Sequence, residues 1–292
     1  MPGMIEPILV TGAAGFVGRH VTDLLRSRGV QVVAHARRRG PGIDWVADLA
    51  DPQTSLDPKL FDVASVIHCA AATPARSDRF DRDNTTASAT FAAVLSRAKS
   101  LQRIVHLSSV AVYLRPVRGR WVLGEDATTI ESDRNQGSYA ASKLAAERNL
   151  DAVGRDRTDV AITHVRASSI YGPGMVRTTL LPVLVAGARQ NEPLVLRGPR
   201  PYLQNFVHVA DVAALAVSLV NERGPAVVNA FSDDTYELGA LAELVRTKLG
   251  SSSQILDESH PADGPEPVFL NGIAKRLHPA FRSLADHLTD AS

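Results

Sequence analysis

Apolar residues along this chain fall into short unbroken runs that alternate with stretches of helical period. The run Ile8-Leu9-Val10 stops at Thr11, and Val17, Val21, Leu24 and Leu25 then recur on one helical face until Gly29. Further strands are predicted at Val30–Ala34, Trp45–Leu49, Ala64–Cys69, Arg103–Leu107 and Val160–Val165. Helices are predicted over Thr85–Ala98 and from Ser138 to about Val153, closing at Gly154. Leu180–Ala188, Asp211–Val220 and Leu238–Leu249 also read as helices, and Pro193–Leu196, Phe206–Val209 and Ala226–Ala230 as strands. The polar segment Arg115–Gln136 reads as a long loop near the active site. The tail is Pro-rich from His260 to Pro267 and ends in a short amphipathic helix around Phe281–Leu288. Strands alternating with helices, with no internal repeat, predict an α/β fold built on a doubly wound parallel sheet.

The first strand-to-helix transition carries chemistry as well as shape. TGAAGFVG occupies positions 11–18. Gly12 permits a tight turn, Gly15 lets the backbone approach a pyrophosphate, and Gly18 lets helix and strand pack closely. Amides at the helix start then face the phosphates, aided by the helix dipole. A glycine triplet alone is weak evidence, because turns use glycine for geometry only. Its strand–turn–helix context marks Thr11, Gly12, Gly15, Phe16, Val17 and Gly18 as a Rossmann-type dinucleotide loop. Residues 1–170 are therefore expected to form a dinucleotide-binding domain to which some later segments return. Residues 171–292 are expected to form mainly a smaller C-terminal substrate-binding lobe.

Where NAD-binding versions of this unit end their second strand with Asp or Glu, this chain has Ala36, followed by Arg37, Arg38 and Arg39. A carboxylate would repel a 2′-phosphate, whereas a guanidinium holds one with a charge-assisted fork. The cofactor expected is NADP(H), with Arg37 on the 2′-phosphate and NAD(H) as the alternative. A solvated basic loop is the plainer reading of the same arginines. Asp48, followed by Leu49, is placed to reach the adenine edge, and Ala70 and Ala71 are small enough for a cofactor to lie against. Asn84 is a further candidate contact, with helix capping as its alternative role.

Bulk composition narrows the class. The chain has 292 residues, 45% hydrophobic and 22% charged, with a formal charge of +1. That balance gives no electrostatic case for nucleic acid or an anionic membrane. A single cysteine, Cys69, excludes an internal disulfide and a cysteine metal cluster, and its apolar run suggests a buried structural thiol. No metal site is expected. The N-terminus leads almost directly into the first strand, and no apolar segment is long enough to span a bilayer, so a cytoplasmic enzyme is expected.

Tyr139 and Lys143 lie four apart on a predicted helix and share a face. A phenol is a poor acid–base group at its ordinary pKa of about 10, and a nearby ammonium ion favours the phenolate. Tyr139 can then exchange a proton with a carbonyl or alcohol oxygen while hydride moves at carbon. Lys143 can also hold the nicotinamide ribose. Ser108 and Ser109 stand at the C-terminal end of a predicted strand, where open parallel sheets bind ligands. A serine hydroxyl there can hydrogen-bond the same oxygen. A Tyr packed beside a solvated Lys is the alternative for the pair taken alone.

These motifs together resemble the extended short-chain dehydrogenase/reductases, which include nucleotide-sugar epimerases, dehydratases and 4-ketoreductases. The resemblance covers nearly the whole chain. It rests on TGAAGFVG, Asp48-Leu49, His68-Cys69-Ala70-Ala71, Asn84, Leu107-Ser108-Ser109-Val110-Ala111-Val112-Tyr113 and Tyr139-Ala-Ala-Ser-Lys143. Arg166, Tyr171-Gly172-Pro173-Gly174 and Phe206-Val207-His208-Val209-Ala210-Asp211-Val212 continue it. It implies Ser109, Tyr139 and Lys143 as the catalytic set, and a homodimer. Leu114 stands where a glycine often follows Val-Tyr. The resemblance also implies substrate contacts at Ser169, where the family usually has Asn, and at Gln204, where an Arg commonly grips a nucleotide-sugar diphosphate. Arg197 or Arg200 could replace that lost guanidinium; otherwise the small-molecule substrate lacks a diphosphate. The expected activity is NADPH-dependent reduction of a keto-sugar nucleotide or a secondary-metabolite ketone. The alternatives are a nucleotide-sugar epimerase and a non-catalytic NADP-binding regulator. Dehydration is disfavoured because Val110-Ala111 follow Ser109, where dehydratases place acidic residues.

Overall fold

The computed structural model describes residues 6–54, 62–74, 79–130, 138–200, 203–261 and 264–291. In chain order it begins β1 (Ile8–Thr11), α1 (Phe16–Ser27), β2 (Val32–Ala36), β3 (Trp45–Val46) and β4 (Ser65–His68). A π-helical turn, Asp81–Thr86, leads into α2 (Ala87–Leu95), followed by β5 (Arg103–Ser109) and β6 (Gly119–Leu123). Then come α3 (Ser138–Asp156), β7 (Ala161–Ala167), β8 (Ser169–Tyr171), α4 (Leu180–Arg189), β9 (Leu194–Leu196) and β10 (Pro199–Arg200). β11 (Leu203–His208), α5 (Val209–Ser218), β12 (Val227–Ala230), β13 (Thr235–Glu237) and α6 (Leu238–Lys248) follow. The chain closes with β14 (Ile255–Asp257), β15 (His260–Pro261), β16 (Pro265–Phe269), α7 (Gly272–Leu277) and α8 (Leu284–His287).

Seven strands form one sheet in the order β12-β7-β5-β4-β1-β2-β3, with β1 parallel to both β2 and β4, β2 parallel to β3, and β4 parallel to β5. This is the doubly wound sheet that the alternation predicts. Two compact units divide the chain. The first comprises Met1–Val112, Thr128–Arg166 and Ala213–Val228, and the second Tyr113–Ala127, Ala167–Val212 and Asn229–Ser292.

In the first unit, Leu9, Val66 and Ile104 from the strands pack with Phe91 and Leu95 of α2 and Leu150 and Val153 of α3. All are essentially inaccessible to solvent, and burying such a side chain stabilises by about 1.5–3 kcal/mol. In the second unit, Leu181, Leu184 and Val185 of α4 meet Leu241 and Val245 of α6, with Leu284 and Leu288 closing the cluster.

Several boundaries differ from expectation for physical reasons. α3 runs through Gly154 to Asp156, and a Cβ at Gly154 would press to 3.0 Å on Ile162 of β7. That glycine allows close helix–sheet packing and does not end the helix. The expected Arg115–Gln136 loop contains β6, which pairs in parallel with β16 over Gly119–Leu123 and Pro265–Phe269. Residues 131–136 of that segment lie outside the described residues. The Pro-rich tail accordingly supplies strands, and α7 was not foreseen. Among the described residues no helix is long and apolar enough to cross a membrane.

Candidate active site

β1 ends at Thr11 and α1 begins at Phe16, so the glycine loop is the whole connection. Gly12 takes φ +67°, and a Cβ there would come within 2.8 Å of the Ala70 amide nitrogen. A Cβ at Gly18 would overlap the Gly12 carbonyl oxygen. α1 opens on Gly15 with no side chain capping its first amides and no acidic residue in its first turn. Uncapped amides above bare glycine backbone suit a pyrophosphate, so the residues present fit a dinucleotide. Phe16 is half-buried and Val17 buried, while the Thr11 hydroxyl turns inward, 2.7 Å from His68 Nδ1. It also accepts from the Ala70 amide at 3.3 Å.

Buried Ala36 ends β2. The next residue, Arg37, contacts Asp83 at 2.8 Å and Asp48 at 3.9 Å, and Arg82 reaches the same carboxylates at 2.7 and 2.5 Å. Arg37 is thus shared with two acids, while Arg38 and Arg39 are exposed. Partial burial raises the Asp48 carboxyl, but the hydrogen bond from Arg82, the Ala50 amide and the charge of Arg37 together hold it below its ordinary range. Leu49 lies in the core, Ala70 is half-buried and Ala71 is exposed. Asn84 is no helix cap. It sits inside the π-helical turn, accepts from the Ala72 amide at 2.6 Å and donates to Ser142 on α3 at 2.9 Å.

At the other end of this unit, β5 delivers Ser108 and Ser109, and α3 delivers Tyr139, Lys143 and Glu147. The two serines have separate partners. Ser108 donates to Glu147 at 2.5 Å, and Glu147 also receives a fork from Arg166 at 3.0 and 2.7 Å. Ser109 Oγ accepts from the Ala111 amide at 3.2 Å, and its hydroxyl acts on the Tyr139 phenol. Burial raises the Tyr139 phenol above its ordinary range, and the Ser109 bond opposes that rise. Lys143 is 3% exposed; its Nζ donates to the Leu107 carbonyl at 2.6 Å and lies 3.5 Å from His106 Nε2. Burial lowers Lys143 to about 8, with Glu147 pulling the other way. A protonated phenol beside a hydroxyl donor, with an ammonium ion one helical turn on, can deliver a proton to a carbonyl oxygen. Cys69 is free and partly rather than fully buried, with its thiol pushed up to about 12 by desolvation.

The second unit holds the other predicted residues. Ser169 on β8 and Gln204 on β11 are neighbours in parallel strands, and the Gln204 amide donates to the Ser169 hydroxyl. Among the described residues, Gln204 Oε1 and the hydroxyl of buried Tyr171 have no hydrogen-bond partner. Such orphaned polar atoms are satisfied at little cost by a ligand's hydroxyl or N–H. Arg197 is spent on an exposed pair with Glu258 at 2.8 Å. Arg200 has its backbone in β10, paired with Pro261, and its side chain lies outside the described residues.

Reasoning from sequence gave no role to Glu147 or to the buried histidines His68, His106 and His164. Strand order alone brings those histidines side by side; their visible signal was a polar residue at an inward strand position.

Residues 8–230 match the family model described as the NAD dependent epimerase/dehydratase family. The chain is 25% identical over 283 residues to dTDP-4-dehydro-6-deoxy-D-allose reductase of Streptomyces bikiniensis, covering 88% of this chain and 86% of that one. It is 31% identical over 226 residues to 4-hydroxy-2-methyl-3-oxo-4-farnesyl-3,4-dihydroquinoline-1-oxide ketoreductase of Stigmatella aurantiaca, covering 74% of this chain and 64% of that one. Among solved structures, MoeE5 in complex with UDP-glucose and NAD superposes with a TM-score of 0.79 at 26% identity, covering 98% and 97% of the two chains.

Proposed function

The chain belongs to the NAD-dependent epimerase/dehydratase family, as an NAD(P)-dependent enzyme of the extended short-chain dehydrogenase/reductase type, and we propose that within it the chain acts as an NADPH-dependent ketoreductase. Its substrate is a keto-sugar nucleotide or a ketone of secondary metabolism. The observation that carries this reading is the Tyr139 phenol, which burial holds in its acid form and on which the Ser109 hydroxyl acts. A group held in its acid form suits net delivery of a proton to a carbonyl. Two relatives named as reductases, one of them acting on a keto-sugar nucleotide, support the same direction.

The glycine loop and the start of α1 hold the pyrophosphate, Asp48 and Leu49 flank the adenine, and Ala70, Ala71 and Asn84 line the middle of the cofactor. Arg37 takes the 2′-phosphate in exchange for its carboxylate partners, with the absence of an acid at Ala36 removing the repulsion. Bound NADPH supplies hydride to the carbonyl carbon. Tyr139 gives its proton to the carbonyl oxygen, Ser109 donates a hydrogen bond to that oxygen, and Lys143 holds the ribose and favours the phenolate left behind. Ser169, Gln204 and Arg200 contact the substrate. The Gln204 oxygen and the Tyr171 hydroxyl offer it unsatisfied partners, and an uncharged Gln selects against dependence on a diphosphate clamp at this position. A cytoplasmic homodimer completes the proposal.

One observation favours a second reading. Arg37 is already paired with Asp83, and MoeE5 is described with NAD, which together suit an epimerase that reduces and reoxidises its cofactor within a turnover. Cofactor stoichiometry separates the two. Incubated with NADPH and a panel of nucleotide 4-keto-sugars and aromatic or polyketide ketones, a reductase consumes one NADPH per product. Sugar inversion with no net loss of reduced-nicotinamide absorbance would establish the epimerase instead.

A further inference from the structure

Four charged side chains meet beyond the carboxyl ends of β2 and β3. Arg37 follows β2 directly, Asp48 lies two residues past β3, and Arg82 and Asp83 are neighbours in the π-helical turn. Two guanidiniums face two carboxylates there, and each guanidinium reaches both acids. A 2′-phosphate arriving at Arg37 meets a cation that is already taken, so binding it requires an exchange within these four groups.

The two arginines are held unequally. Arg82 spreads its nitrogens over both acids, Nη2 on Asp48 Oδ2 at 2.5 Å and Nη1 on Asp83 Oδ1 at 2.7 Å. Arg37 makes one close contact, Nη2 to Asp83 Oδ2 at 2.8 Å, while its Nε stands 3.9 Å from Asp48 Oδ2. The arginines thus use different oxygens of Asp83, and one can leave without displacing the other. The acids differ too, the Asp83 side chain being 4% exposed and that of Asp48 28%. Asp83 has to keep a cation, because losing the partner of a buried ion leaves an uncompensated charge. Burial raises the Asp48 carboxyl, and the Arg82 hydrogen bond does more than the Arg37 charge to bring it below its ordinary range. One arginine must therefore stay, and Arg82 is the better held.

We propose that Arg82 is a positioning residue for cofactor choice: it keeps Asp83 and Asp48 compensated and so releases Arg37 to the 2′-phosphate of NADP(H). This rests on the contact proposed above between Arg37 and that phosphate. With NADP(H), Arg37 gives up its Asp83 oxygen for phosphate oxygens, a charge-assisted contact of the same kind. Asp83 meanwhile keeps Arg82 through its other oxygen. With NAD(H) the ribose presents a neutral hydroxyl, and Arg37 stays on Asp83. Arg82 touches the phosphate in neither state. Take Arg82 away and Arg37 becomes the one cation of the set left to Asp83, which holds it back from the phosphate.

A double-mutant cycle on cofactor binding tests this, with the dissociation constants of NADPH and NADH read from the fluorescence of the reduced nicotinamide. The Arg82 side chain is 51% exposed, and NADH affinity serves as the control on folding. Arg82→Gln should weaken NADPH about tenfold, as Arg37→Ala does, and leave NADH unchanged. In the Arg37→Ala background Arg82→Gln should add nothing, because Arg82 acts only through Arg37. Losses that multiply to about a hundredfold in the double variant would put Arg82 itself on the phosphate and overturn the proposal. Arg82→Gln weakening NADPH and NADH equally, or neither, would overturn it as well. If Arg37→Ala weakens both cofactors equally, the 2′-phosphate contact fails first and the proposal with it. A selective Arg37→Ala beside an unselective Arg82→Gln removes the role of Arg82 alone.

Discussion

Arg37 meets Asp83 at 2.8 Å with the arginine side chain 41% exposed, whereas Arg166 meets Glu147 at 2.7 Å with the arginine 7% exposed. The two pairs are alike in length and lie in the same unit. Solvation makes them different objects. At the Arg37 end the guanidinium is in contact with water, and Asp83, itself only 4% exposed, keeps Arg82 at 2.7 Å when Arg37 leaves for a phosphate. At the Arg166 end both ions are desolvated, and losing either leaves an uncompensated charge. The Glu147 end therefore works as scaffold: it fixes Ser108 and leaves Ser109 to Tyr139. On the proposed reading the Arg37 end is an exchangeable contact that tunes which cofactor binds.

Breaking the buried pair should have the largest effect. Glu147→Gln is expected to destabilise the fold by about 3–5 kcal/mol in denaturant unfolding at neutral pH. The Arg166 bond and charge outweigh burial and hold the Glu147 carboxyl below its ordinary range. Its contribution is therefore present above the unfolded-state pKa and is lost as pH falls through the lower folded value. The gap between wild type and variant should shrink in acid; a gap independent of pH would show that charge is not what matters there. Next in size, Ser109→Ala should lower kcat about a hundredfold with KM nearly unchanged, the scale for removing one positioned donor. Ser108→Ala should instead act on stability. If the two swapped effects, the division of the serines would be wrong.

A smaller effect concerns pH. Lys143 is lowered to about 8 by burial, so it carries its proton below that value and loses it above. The rate of ketone reduction should fall as pH rises through about 8, and a rate flat to well above that point would place the titrating group elsewhere. The smallest effect belongs to the water-facing Arg37. Arg37→Ala should weaken NADPH binding about tenfold and NADH hardly at all, measured by cofactor titration. Equal losses for both cofactors would remove Arg37 from the 2′-phosphate.

Much of this is legible in the sequence. β1, the glycine loop and α1 were readable because local periodicity and turn chemistry agree there. Tyr139 and Lys143 were readable because helical spacing alone places them on one face. Contacts across long sequence separations were not. β6 and β16 pair across more than a hundred residues, and neither carries a strong alternating pattern. Gly154 looked like a helix end because its role, closeness to Ile162, is invisible along the chain. Arg37 looked free, because only the fold brings Asp83 to it. The histidine row depended wholly on strand order.

The account turns on Tyr139 as the proton donor to a carbonyl. NADPH oxidation by wild type and Tyr139→Phe, with a dTDP-4-keto-6-deoxy-hexose and with NADPH binding measured in parallel, tests it most directly. The prediction is that the variant binds NADPH as wild type does and loses about 10²–10⁴ in kcat. Turnover unchanged in Tyr139→Phe, with cofactor binding intact, would contradict it.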